Sequence, residues 1–326
     1  MLLLPKKKSS WSFWCLATLG LLISISLSNC DGSAEQNLAS SEPVADECRI
    51  IEHANGSSCI PTLPQRVVTL DMDSLANMLA MNTKPIAASS GWDIVEPFPQ
   101  HLQALTDGVE YVGSTSQPNL EKILTLKPDL IIANQYLDPF YEQLSQIAPT
   151  VTLNNKEPWQ KMLSDLGKVI EKEDTATQLI DKYEQRVEQL QKALDGAQDT
   201  LQVSMATVQN DNGIYTYGPN YFASSVLADI GLQRPPSQTG DFIYKDVSLE
   251  SLSDIDGNVL IFVTWPDESD QEAFGKLRES PLWQQLDAVK NEKVFRVSAG
   301  HWYVDESVLA VNAILDDLFE HLVTVN

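Results

Sequence analysis

Residues 119–133 read NLEKILTLKPDLIIA, and residues 248–263 read SLESLSDIDGNVLIFV. In each, a small polar residue precedes Leu-Glu, an apolar residue stands two places after the Glu, and an apolar run closes the stretch. Asn119 or Ser248 can accept hydrogen bonds from the free amides at the start of a helix. Glu121 or Glu250 then lies in the first turn, where the positive end of the helix favours an acid by about 0.3–1 kcal/mol. DLIIA and NVLIFV are continuous apolar runs, as expected of strands covered on both faces of a parallel sheet. One unit read twice implies two similar α/β halves.

The surrounding sequence fits that plan. RVVTL (66–70) is a short β-branched strand, and Asp71 or Asp73 can cap a helix carrying Leu75, Met78 and Leu79. KPIAAS and TVTL read as further strands, with DPFYEQLSQIA helical between them. The β-α-β-α rhythm predicts a parallel sheet. From Trp159 to Ala197 the pattern is helical, with a break near 171–174. Its second part places Leu179, Ile180, Tyr183, Val187, Leu190 and Leu194 at spacings of three and four without internal Gly or Pro. That length suits a rigid connector. The rhythm then restarts with LQVSMATVQ as a strand, NYFASSVLADIGL as a helix closed by Gly231, NVLIFV and KVFRVS as strands, and a last amphipathic helix from Asp305 to Val323. Trp159 and Trp283 occupy packing positions.

The 326 residues are 43% hydrophobic, enough for two cores, and carry a net charge of −23. That charge excludes nucleic acid, which needs a basic footprint, and argues against direct adsorption to anionic lipid. Lys6, Lys7 and Lys8 precede an apolar stretch from Trp11 to Leu27, the plan of an export signal. The stretch is short for a membrane span. It runs into Leu27-Ser28-Asn29-Cys30, which resembles a lipoprotein processing box, with Asn29 departing from the usual Gly, Ala or Ser. Lipidation of Cys30 and a lipid-anchored periplasmic location are therefore expected; an uncleaved anchor or cleavage elsewhere are the alternatives. Residues 31–47 are polar and small, a flexible tether. Cys48 and Cys59 remain as an even pair in an exported chain, which predicts a disulfide around a tight turn at Asn55-Gly56. A metal or redox role lacks companion Cys or His residues nearby.

The segments RVVTLDMDSLANMLAMNTKPIAAS, YVGSTSQPNLEKILTLKPDLIIA, YEQLSQIAPTV and SPLWQQLDAVKNEKVFRV together resemble periplasmic substrate-binding proteins of the iron–siderophore and cobalamin class, which serve ATP-driven importers. CRIIEHANGSSCIPTLPQRVV is similar as well, its Cys pair being like that of the cyanobacterial ferric-siderophore branch. The resemblance runs from about Cys48 to Leu322 and is weaker in the second half. It implies two Rossmann-like lobes with central parallel sheets joined by one long helix, the class III architecture, with the ligand between the lobes. The corresponding division is signal 1–29, tether 30–47, first lobe 48–170, connecting helix 171–197 and second lobe 198–326. The resemblance also implies that Glu121 and Glu250 pair with basic residues of an ABC permease dimer, where charge sets registry and encounter rate. The helix-dipole reading of these two residues is the bland alternative.

Clefts of this class are lined by aromatics with a few polar anchors. The loops after the strands offer Trp92, Tyr217, Tyr221, Trp265, Trp302 and Tyr303, of which about half are expected to face the ligand and the rest the core. Arg234 is the better anionic anchor and Lys245 the lesser, because a planar guanidinium matches paired oxygens. His301 beside Tyr303, Asp305 and Glu306 is a weak candidate for direct ferric ion binding, and no resident metal or cofactor is expected. The four histidines are scattered. No phosphate loop, GxSxG or HExxH pattern is present, so an enzyme is not expected. The expectation is a monomeric carrier of a ferric siderophore of hydroxamate or citrate type. Cobalamin, haem and bare ferric ion are the alternative ligands, and a lipid-anchored adhesion protein the alternative class.

Overall fold

A computed structural model describes residues 48–91, 97–209 and 213–323. The signal, Cys30, the tether and Trp92 lie outside the described residues.

The first structural unit is a hairpin of β1 (Cys48–His53) and β2 (Gly56–Pro61). Its turn needs a positive φ, which Gly56 supplies at +126°. Cys48 and Cys59 are joined by a disulfide across it. The hairpin lies against an edge strand of the first sheet: Ser58 Oγ donates to the Thr150 carbonyl at 2.7 Å, and the Ala54 amide to the Thr152 carbonyl at 3.0 Å. An otherwise open edge is thereby covered. Replacing both cysteines by serine is expected to lower stability by about 2–4 kcal/mol. The denaturant midpoints of variant and parent, each with and without reductant, check this; the parent alone should respond to reductant.

The first sheet contains β3 (Val67–Thr69), β4 (Ala87–Ser90), β5 (Glu110–Ser114), β6 (Gln117–Pro118), β7 (Leu130–Asn134) and β8 (Thr150–Leu153). Its order is β6-β5-β4-β3-β7-β8, parallel except for the β5–β6 pair. Every residue of β7 is buried, as a continuous apolar run requires. The helices are α1 (Met72–Ala80), α2 (Gln100–Gln103), α3 (Leu120–Leu126), α4 (Tyr141–Ile147) and α5 (Trp159–Val169). Asp71 caps α1 by accepting from the Ser74 amide at 2.8 Å, and Asn119 caps α3 by accepting from Lys122 at 2.9 Å. Arg49 closes the C-terminus of α5, donating to the carbonyls of Lys168 and Val169 at 3.0 and 2.8 Å.

The connector is α6 (Glu173–Leu194), 22 residues long. It packs on α5 and on two later helices, α7 (Phe222–Ile230) and α10 (Val308–Leu318). The second sheet holds β9 (Val203–Val208), β10 (Ile214–Tyr217), β11 (Tyr244–Val247), β12 (Val259–Thr264) and β13 (Val294–Ser298), in the order β11-β10-β9-β12-β13. α8 (Glu268–Arg278) and α9 (Asp287–Lys290) complete it. The β9–β12 and β12–β13 pairs are parallel; β10 alone is reversed, antiparallel to both β9 and β11. The second sheet thus keeps the expected parallel strands at β9, β12 and β13 and adds an antiparallel strand, β10, towards one edge. The cause of the reversal is the short connection between β9 and β10, which allows a hairpin but no crossover helix.

One apolar cluster runs through both halves. Val67, Met78 and Leu130 of the first join Leu190 of α6, Val203 and Ile261 of the second sheet, and Leu315 of α10. Trp159 and Trp283 are buried, as their helical positions indicate. Closely packed interiors of this kind resist large relative motion.

Candidate functional site

The second sheet presents loops after β12 and β13, and β10 ends close to them. Tyr303 stands in the helical turn Gly300–Val304 that follows β13. Its ring is 5.0 Å from Trp265, 6.1 Å from Tyr217 and 6.0 Å from Tyr221. Tyr217 and Tyr221 stack on each other at 4.4 Å. The Tyr221 hydroxyl donates to the Trp302 carbonyl at 2.7 Å, which fixes this layer to the Tyr303 turn. Trp265 and Tyr303 are half-buried, whereas Tyr217 and Tyr221 are buried beneath them.

Burial pushes the Tyr303 phenol above its ordinary pKa, and the neighbouring Tyr244, Glu306, Tyr136 and Tyr215 act in the same direction. The phenol therefore stays protonated near neutrality and acts as a hydrogen-bond donor. Two of these neighbours are well exposed. Tyr136 follows β7 of the first sheet and is 72% exposed; Tyr244 opens β11 and is 59% exposed, with Ile243 beside it at 55%. Large exposed apolar side chains gathered at one place mark a binding surface. Tyr136, Ile243 and Tyr244 stand outside the residues that the sequence marks for the cleft. The strands of the hairpin carrying Tyr244, IYTY and YKDV, are four residues each, so no local pattern in the sequence marks it.

Among the aromatics expected at the cleft, Trp302 is placed differently. It is fully buried, and its indole N–H donates to Asp317 at 2.7 Å. A partner for the indole was available in α10, so the ring turned inward. His301 shares that carboxylate at 2.8 Å and is thereby held as a wall residue. Among the described residues no group of three or more His, Cys, Asp or Glu is arranged to hold a metal ion.

Arg234 lies next to this layer. Its Nη2 donates to the Tyr217 carbonyl at 2.7 Å and to Gln238 Oε1 at 2.6 Å. Its Nε and Nη1 are buried with no hydrogen-bond partner. Desolvation lowers its pKa to about 10, which leaves it charged at neutral pH. Lys245, by contrast, sits 3.8 Å from Asp254 and over the Phe242 ring.

Glu121 and Glu250 are both exposed, each in the first turn after its cap. Ser248 accepts from the Ser251 amide at 3.2 Å, repeating the Asn119 arrangement on a 3-10 turn (Leu249–Ile255). Glu250 is held below the usual carboxylate range by its own backbone amide and by the Ser248 hydroxyl, so it is firmly ionised.

Comparison with known proteins bears on this arrangement. The model of the periplasmic binding protein family matches residues 67–299. The probable siderophore-binding lipoprotein YfiY of Bacillus subtilis (strain 168) is 30% identical over 305 residues, covering 90% of this chain and 92% of its own. The achromobactin-binding periplasmic protein of Dickeya dadantii (strain 3937) is 32% identical, covering 78% of this chain and 86% of its own. Among solved structures, Staphylococcus aureus SirA complexed with staphyloferrin B superposes with a TM-score of 0.73 at 27% identity, covering 84% of this chain and 98% of SirA.

Proposed function

This chain belongs to the periplasmic binding protein family, and from that premise we propose that it captures a ferric siderophore between its two halves and delivers it to an ABC importer. The observation that carries the reading is the aromatic cluster around Tyr303, to which separate loops of the second sheet and Tyr136 of the first all contribute. Flat rings and neutral phenol donors suit an organic chelate shell, which offers both apolar area and oxygen acceptors. Capture then involves no chemistry. The relatives are named as binders of a siderophore, of achromobactin and, in SirA, of staphyloferrin B. That company, and the loss of any protein partner at two buried nitrogens of Arg234, support a chelate carrying carboxylate or hydroxamate oxygens. Trp92 belongs to the proposed ligand set, and Trp302 contributes through the carbonyl that holds Tyr221. Lipidation at Cys30 tethers the carrier to the membrane after export, consistent with the lipoprotein relative. Glu121 and Glu250 form the two docking points for the permease, one from each half.

The test is a titration of the chain from residue 31 onward with ferric hydroxamates, ferric citrate, ferric catecholates, cobalamin, haem and free ferric ion, following Trp fluorescence. Submicromolar quenching by a ferric hydroxamate or citrate chelate, and not by its iron-free form, is expected. Tyr303→Ala should raise the Kd for that chelate roughly 30-fold, the equivalent of about 2 kcal/mol for an aromatic anchor. Quenching by cobalamin, haem or free ferric ion alone would replace the siderophore, and quenching by none would leave a ligand outside this panel or an adhesion or assembly protein.

A further inference from the structure

His101 stands on α2 of the first half and His301 in the turn after β13 of the second, with ring centroids 5.6 Å apart and planes at 72°. A carboxylate holds each imidazole at Nε2. His101 bonds Asp305 Oδ2 at 2.8 Å, and His301 bonds Asp317 Oδ2 at 2.8 Å. Asp305 is fully buried, and its other oxygen accepts from the Ser307 amide at 3.0 Å. Asp317 also accepts from the Trp302 indole. The junction around the pair is held by backbone bonds to α1. The Glu306 amide donates to Asp73 Oδ1 at 2.8 Å, and the Val308 amide to Asn77 Oδ1 at 3.0 Å.

Carboxylate oxygens accept, so both imidazoles donate from Nε2 and carry their lone pair on Nδ1. Neither Nδ1 has a hydrogen-bond partner among the described residues. Both side chains remain partly open, at 17% and 13% exposure. Gly300 keeps a side chain out of the space beside His101. A Cβ there would stand 3.4 Å from His101 Nδ1, 3.3 Å from Ser298 Oγ and 3.1 Å from Pro99 Cβ. The Nδ1 of His301 is the ring nitrogen nearer its own backbone, which Gly300 adjoins.

We propose that His101 and His301 form an exchangeable divalent-cation clip between the two halves, taking a first-row ion such as Cu²⁺ or Zn²⁺ through their Nδ1 atoms, with solvent in the remaining positions. Imidazole is a ligand that suits these ions. A histidine that ligates through one nitrogen characteristically donates its other N–H to a carboxylate, and both residues have that support in place. The separation fits as well. Two imidazoles on one tetrahedral ion, bonded at about 2 Å, place their ring centroids roughly 5 Å apart. The 5.6 Å found here closes to that value by a small rotation of the rings. Among the described residues no third His, Cys, Asp or Glu joins the pair. A structural zinc site takes four protein ligands, so a two-histidine site is one that loads and releases its ion. The ion ties α2 to the turn that carries Tyr303, and it uses imidazole lone pairs rather than the aromatic layer.

The clip is tested on the mature chain, stripped of metal and without siderophore, so the outcome does not depend on the identity of the cargo. Cu²⁺ is the probe, because it heads the divalent affinity order. Titration of the parent is expected to give one ion per chain, with electron paramagnetic resonance showing hyperfine splitting from two imidazole nitrogens. His101→Gln and His301→Gln should each raise the Kd about 100-fold, the upper end of what loss of an outer partner alone costs, and Asp317→Asn about tenfold. His53→Gln should leave it unchanged. Cu²⁺ should raise the melting midpoint of the parent and not that of either cleft-histidine variant. Circular dichroism like the parent's establishes folding, and should one variant fail to fold, the other carries the comparison. No binding of one ion per chain in the parent, splitting from a single nitrogen, or an affinity unchanged in a folded variant of His101 or His301 would mean an adventitious ion only and overturns the clip.

Discussion

Reversing both docking glutamates, Glu121→Lys with Glu250→Lys, should abolish uptake of the ferric siderophore while its Kd for the isolated protein stays unchanged. Both side chains are exposed, so their replacement removes no packing. What they lose is the attraction between two carboxylates, one on each half, and basic residues on a permease. Replacing attraction by repulsion at two points of one interface costs several kcal/mol and misplaces the register of docking. Uptake of labelled ferric chelate by cells, set beside the fluorescence titration of the purified variant, separates the two effects. Uptake at the parental rate would show that the glutamates serve only as favourable first-turn acids of their helices. A single reversal should reduce uptake without eliminating it.

The second large effect concerns the core of the second sheet. Phe262 of β12 is fully buried, 4.4 Å from the ring of Phe274 and 5.7 Å from that of Trp283. Leu252, Leu260 and Leu286 fill the space around them. Phe262→Ala removes the central ring of this cluster, and the remaining rings are fixed by α8 and by the turn that carries Trp283. The site cannot collapse, so the loss is expected at about 3–5 kcal/mol. A denaturant transition should show a lower midpoint with an unchanged slope. Because the opposite face of the sheet carries the other cluster, chelate affinity of the folded variant should be little affected.

Much of this organisation is visible in the sequence because it rests on local chemistry. Asn119, Ser248 and Asp71 cap where short polar side chains before apolar periodicity indicate, and β7 and β12 are the runs that read as doubly covered strands. The connector's apolar spacing matches α6, with its break at Glu171, which adopts a left-handed conformation. What escapes a sequence reading depends on contacts between distant segments. β10 and β11 are four residues each, too short for alternation to stand out, and β10 adds an antiparallel strand beside the expected parallel ones. Trp302 and Tyr303 are neighbours in one loop, yet one enters the core and the other the cleft, because Asp317 of α10 offers the indole N–H a partner inside. The meeting of Asp73 and Glu306 joins residues more than two hundred positions apart, and no local pattern announces it.

The apolar cluster that joins both halves has a further consequence for how the molecule comes apart. Neither half closes its own interior: α6 and α10 supply side chains that the first sheet's helices and the second sheet's helices both use. Separate halves would each expose a face made to be shared. The protein is accordingly built to melt as one cooperative unit, in an all-or-none transition rather than lobe by lobe. A chain cut within α6 should yield two fragments that are soluble and ordered only together.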